Sequence, residues 1–128
     1  LRLFPAAKES EVALCAVADE DAALALFRRF RAADEGAVRA FEYMSGTGMG
    51  FVLKHIEGAS MPVPTPADHY VLVDLAASRE GAGLRALMET VLEAAMEAGE
   101  VVDAALAESG AQRHAIWRLR EEHPEAQK

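Results

Sequence analysis

Tyr70-Val71-Leu72-Val73-Asp74-Leu75 is an apolar run rich in β-branched residues. It follows Met61-Pro62-Val63-Pro64-Thr65-Pro66, whose prolines cannot donate to a sheet ladder. The composition predicts a buried strand. Downstream, Leu84, Leu87, Met88, Val91, Leu92, Ala95 and Met96 recur at i, i+3, i+4, i+7 and i+8, which places one apolar stripe on a helix that Gly99 can end. Val101 to Leu106 reads as a second strand. Such a β-α-β unit lays its helix on one face of a sheet, normally by a right-handed crossover, and the rest of the chain packs around it.

The 128 residues suit a single domain over 1–128, and a 52% hydrophobic content is enough to bury a core. The net charge of -8, with no cluster of Lys or Arg, argues against nucleic acid or an anionic membrane as a partner, and disfavours unaided binding of a phosphate-rich cofactor. No apolar run approaches the length of a membrane span and no signal peptide is visible, so the cytosol is the expected compartment. The single cysteine, Cys15, lies among Leu14, Ala16 and Val17 and reads as a buried, inert thiol. The chain opens on Leu1-Arg2-Leu3-Phe4-Pro5, a strand-like piece without methionine, and stops on Ala126-Gln127-Lys128 without a closing turn. An excised part of a longer protein is expected.

Outward from the central unit, Glu11 to Val17 is a short strand followed by Asp19-Glu20-Asp21, where Asp19 can cap a helix and the next two carboxylates suit its positive end. On that helix Ala23, Leu26, Phe27 and Phe30 share a face. Arg28, Arg29 and Arg31 cluster near its C-terminal part, where cations favour the helix dipole; this explains them better than a basic patch does. Val38 to Met44 is the next strand, with Val38, Ala40, Glu42 and Met44 on one face and Arg39, Phe41 and Tyr43 on the other. Glu42, among apolar neighbours, belongs either at a solvated edge or in a functional interface. Ser45-Gly46-Thr47-Gly48-Met49-Gly50 then leads into a helix with Met49, Val52, Leu53 and Ile56 as its face. It is not a dinucleotide loop, because the third glycine of a G-x-G-x-x-G pattern from Gly46 would stand at Phe51. A flexible helix entrance with Ser45 as cap is the expectation.

The last segment opens with Ser109-Gly110-Ala111-Gln112, the S-x-x-Q form of a capping box, and Pro124 ends its helix. Ala115, Ile116, Leu119 and His123 form an inner line, and Arg113, Trp117 and Arg120 a second stripe beside it. Two readings stand for that stripe: an Arg stacked on a tucked Trp, or an Arg presented to an anion in a cleft. His55, His69, His114 and His123 lack any metal-ligand spacing. The order β-α-β-(α)-β-α-β-α predicts an α+β fold, a ferredoxin-like antiparallel sheet with helices packed on one face.

Trp117-Arg118-Leu119-Arg120-Glu121, followed by Pro124-Glu125-Ala126, resembles the W-x-L-R-E…P-E-A stretch in the C-terminal domain of FAD-linked oxidases. That family includes D-lactate dehydrogenases, the glycolate oxidase flavoprotein subunit and D-2-hydroxyglutarate dehydrogenases. Leu3-Phe4-Pro5, Ala40-Phe41-Glu42-Tyr43-Met44 and Tyr70-Val71-Leu72-Val73 are similar to the family's entry, second strand and third strand. The resemblance implies a substrate domain that covers FAD held mainly by a separate N-terminal FAD domain of the same chain. The whole enzyme then moves a hydride from the α-carbon of a 2-hydroxy acid to the flavin, and the fragment alone is expected to be inactive. The resemblance also implies that Arg120, the arginine of W-x-L-R-E, holds the substrate carboxylate, a task that suits a guanidinium because it makes two parallel charge-assisted bonds. Trp117 and Glu42 are secondary candidates. Any divalent metal is expected on residues beyond Lys128. The rival reading is a free-standing ferredoxin-like module that binds an effector or assembles as a homodimer, without a redox role.

Overall fold

A computed structural model describes residues 8–125. The opening strand-like piece, the Leu3-Phe4-Pro5 match and Ala126 to Lys128 lie outside the described residues. Strands β1 (Glu9–Val17), β2 (Val38–Ser45), β3 (His69–Ala77) and β4 (Val101–Leu106) form one sheet in the order β2-β3-β1-β4, with each neighbouring pair antiparallel. Between and after them come helices α1 (Glu20–Asp34), α2 (Gly46–His55), α3 (Leu84–Glu97) and α4 (Gly110–Glu122). This is the expected α+β, ferredoxin-like arrangement.

The expectation that helices pack on one face holds for α1 and α3 alone; α2 and α4 cover the other face. The reason lies in the central strands. Val12 to Val17 of β1 and Tyr70 to Leu75 of β3 are buried at every position, so both faces of the sheet are apolar and each needs a cover. Ala13, Cys15, Val71, Val73 and Leu75 meet Leu26 and Phe30 of α1 and Met88, Val91 and Leu92 of α3. Val12, Leu14, Tyr70 and Leu72 meet Met49 and Val52 of α2, Ile116 and Leu119 of α4, and Val63 from the proline-rich loop. Met96 and Leu53, assigned above to inner faces, are exposed, and so is Ala115.

Helix starts follow local chemistry with one exception. Asp19 Oδ1 accepts from the Ala22 amide at 2.7 Å, and Ser45 Oγ from the Gly48 amide at 3.1 Å. Helix α3 is preceded by Gly83, which has no side chain to cap with. Glu9 of β1 does it from across the sheet, accepting from the Ala82 and Leu84 amides at 3.0 and 2.8 Å. Those N–H groups hold the Glu9 carboxyl below its usual range. At its other end α3 stops at Gly99, whose φ of +79° suits a residue without Cβ.

Strand β2 departs from the expected alternation. Val38 pairs with Leu75 but Ala40 pairs with Asp74, so Arg39 is the extra residue of a β-bulge. Val38 and Phe41 therefore both turn toward α1 and α3, while Met44 turns to the opposite face. Glu42, opposite the buried Leu72, faces α4. No helix among the described residues is long and apolar enough to cross a membrane.

Candidate functional site

Helix α4 begins where the capping box predicts. Ser109 Oγ accepts from the Gln112 amide at 3.1 Å, while the Gln112 side chain reaches back to the Glu108 amide, one residue before the cap. Ile116, Leu119 and His123 are buried against the sheet. Trp117 and Arg120 lie beside that line and, at intervals of three, lead into its last member, His123. Each meets a partner on the β2 side of the sheet, in the order in which β2 runs.

At the first step Trp117 Nε1 donates to Asp74 Oδ2 at 3.0 Å. Arg39 Nη2 donates to the same carboxylate, at 2.9 Å to Oδ1 and 3.1 Å to Oδ2. Asp74 is only 2% exposed, and a buried carboxylate needs such partners. The bulge is what turns Arg39 to it. In the sequence Asp74 stands inside an otherwise apolar run, and a carboxylate there is the signal for a buried counter-ion, though nothing local says which residue supplies it. Of the two readings of the Trp117 stripe, the arginine stacked on Trp117 is not found among the described residues; the guanidinium that stacks on a ring is that of Arg31, 5.5 Å from Phe27.

At the second step Arg120 Nη2 stands 3.7 Å from Glu42 Oε2, an ion-pair distance too long for a hydrogen bond. The Arg120 side chain is 19% exposed and that of Glu42 38%. Arg120 Nε is buried and has no hydrogen-bond partner among the described residues. Arg120, Trp117 and Glu42 are thus brought together, on one face of β2 and one side of α4. Arg118 is not part of the group; its Nη2 donates to the Glu57 carbonyl at 2.7 Å and ties α4 to the loop after α2.

At the third step His123 Nε2 lies 3.2 Å from the Ser45 carbonyl, while Nδ1 accepts from the Glu125 amide at 3.2 Å. Both ring nitrogens are engaged in holding the end of α4. Elsewhere His69 Nδ1 meets the Tyr43 hydroxyl at 2.5 Å and His55 packs on Phe51. Among the described residues no three His, Cys, Asp or Glu side chains group to hold a metal ion.

The first glycines of α2 are closely packed by other parts of the protein. A Cβ on Gly46 would fall 2.4 Å from the Ala67 carbonyl, and one on Gly48 would fall 2.2 Å from the His123 ring. Close packing, rather than a flexible entrance, requires them, and the space they leave is not a phosphate cradle. An open cleft of about 360 Å³, lined by Leu106, Ala107, Glu108, Gln112 and Ile116, lies near the other end of α4. Its mostly apolar lining offers no cation to an anionic ligand, so the Arg120 group is the better candidate site.

Residues 6–128 match the model of the family described as FAD linked oxidases, C-terminal domain. The chain belongs to this family. Among curated proteins it is 34% identical over 126 residues to a D-2-hydroxyglutarate dehydrogenase of Xanthomonas citri pv. viticola, covering 98% of this chain and 25% of that protein. It is 33% identical over 87 residues to the mitochondrial D-2-hydroxyglutarate dehydrogenase of Arabidopsis thaliana, covering 68% of this chain and 15% of that one. The chain therefore spans about a quarter or less of the length of these relatives. As a C-terminal domain of FAD-linked oxidases, it carries the W-x-L-R-E stretch on the helix that presents Arg120 to Glu42.

Proposed function

We propose that this chain is the substrate domain of an FAD-dependent dehydrogenase that oxidises a 2-hydroxy acid of the D-2-hydroxyglutarate type, and that Arg120 holds the substrate carboxylate. The observation that carries the assignment is the state of Arg120. Among the described residues its Nε is buried without a partner and its ion-pair carboxylate, Glu42, is 3.7 Å away, so the guanidinium retains unfilled donors beside a partly open surface. An unmet buried donor is costly, about 1 to 3 kcal/mol, and is kept where a ligand or the approach to one accounts for it. A relative matched over 98% of this chain bears the name of such a dehydrogenase, which favours this reading over a free-standing module.

FAD, held in this reading by a separate domain of the same polypeptide, supplies the hydride acceptor. The residues present here bind and orient. Arg120 fixes one end of the substrate through its carboxylate, which sets where the α-carbon lies. Glu42, as the present neighbour of Arg120, gives way to that carboxylate, because two anions on one guanidinium repel. The wall formed by Trp117 and the sheet excludes water beside the ion pair and strengthens it. Any divalent metal is assigned to residues beyond Lys128, and no step here runs through one. Steady-state kinetics of Arg120→Ala in the whole flavoenzyme test the assignment: unchanged kcat/KM with a 2-hydroxy acid would remove it.

A further inference from the structure

We infer that the Trp117–Asp74–Arg39 network is a positioning device that sets the rotation of α4 and so aims Arg120. The inference rests on the assignment of Arg120 to the substrate carboxylate. Helix α4 meets the sheet through few apolar side chains, chiefly Ile116 and Leu119, with Ala115 turned outward. So narrow an apolar line, unlike that of α3, which buries Leu84, Met88, Val91, Leu92 and Ala95, leaves the rotation of α4 to its polar ties: His123 holds its C-terminal end and Arg118 its far flank. On the side that carries Arg120, the tie is a directional bond one turn before it. Trp117 Nε1 supplies it, 3.0 Å from Asp74 Oδ2.

Asp74 can act only through others. It is 2% exposed, and both its oxygens already accept from Arg39 or Trp117, so no substrate reaches it. Arg39, bonded to both of its oxygens, points the carboxylate, and Arg39 is delivered by a bulge in β2, a feature that re-aims a side chain at the expense of a regular ladder. With side chains extending about 5 to 6 Å from a helix axis, a rotation of about 10° moves the head of Arg120 by about 1 Å. Misplacements of that size cost up to about 100-fold in rate.

The test is a double-mutant cycle in the whole flavoenzyme, with flavin content and thermal unfolding measured for every variant. Trp117→Phe keeps the ring and removes the donor; it should lower kcat/KM for the 2-hydroxy acid roughly 3- to 10-fold, the effect of one hydrogen bond. It should weaken calorimetric binding of the 2-oxo acid product, which oxidised flavin does not turn over, by a similar factor. In an Arg120→Ala background the same change should have no effect on either quantity, because its route to the substrate is gone. Asp74→Asn, which keeps an acceptor for Trp117, should retain more activity than Trp117→Phe. An equal loss from Trp117→Phe with and without Arg120 would overturn the inference, and so would no loss at all while Arg120→Ala is strongly impaired. Full activity of Arg120→Ala would instead remove the assignment on which the inference rests.

Discussion

The imidazole of His123 occupies the space in which a side chain on Gly48 would lie: a Cβ there would stand 2.2 Å from both Cε1 and Nε2 of the ring. This contact locks the end of α4 to the start of α2, with His123 buried and Ser45 capping α2 alongside. Gly48→Ala should therefore destabilise the domain by roughly 1 to 3 kcal/mol, although alanine is ordinarily the better helix former. Gly50, on the same helix with nothing within 4 Å of its Cβ direction, is the control, and Gly50→Ala should stabilise by roughly 0.5 to 1 kcal/mol. Urea unfolding of the two variants checks the pair. Stabilisation by Gly48→Ala would mean that the two helix ends are not locked.

Acid stability should depend on Glu100. Arg29 Nε and Nη2 donate to its two oxygens at 2.7 and 2.9 Å, joining α1 to the turn before β4, and this guanidinium holds the Glu100 carboxyl below its usual range. A carboxyl whose folded pKa is depressed contributes stability above its unfolded pKa, about 4.3, and loses it as pH falls through the lower folded value. Glu100→Gln should thus unfold at a lower temperature near pH 7 and lose less stability than the unchanged protein as pH falls below about 4. Parallel pH profiles for both proteins would rule out the linkage.

Cys15 should be silent toward thiol reagents in the folded state. It is fully buried between β3 and β4, and burial pushes its thiol up to about 12. At pH 8 almost none is thiolate, the reactive form. Colorimetric thiol titration should find no reactive group until denaturant is added, then one. Rapid native labelling would place Cys15 outside the core.

Arg120 and Arg118 should separate in kinetics on the whole enzyme. Loss of charged hydrogen bonds in Arg120→Ala should lower kcat/KM roughly 10- to 150-fold, with partial recovery in Arg120→Lys, which keeps the charge without the planar fork. Arg118→Ala removes a tie to the Glu57 carbonyl on the opposite flank of α4 and should change kcat/KM little. The reverse pattern would show that the helix presents its other arginine to the substrate.

What could be read along the chain was what neighbours in sequence settle among themselves. The strands around Cys15, Phe41 and Val73, the stripe on α3 and the caps Asp19, Ser45 and Ser109 all rest on residues within a few positions of one another, where strand or helix period and capping chemistry act. Arg120 was legible as a candidate because its motif is contiguous. The surroundings that make it a site were not. Asp74 meets Trp117 across 43 positions and Arg39 across 35, Glu9 caps a helix 75 positions away, and Gly48 makes room for a histidine near the other end of the chain. Periodicity also assigned Val38 to the face of Glu42, and the bulge at Arg39 reversed it. The second helical layer has the same origin. Whether α2 and α4 join α1 and α3 or cover the opposite face depends on both faces of β1 and β3 being apolar at once, which only the assembled sheet brings to bear.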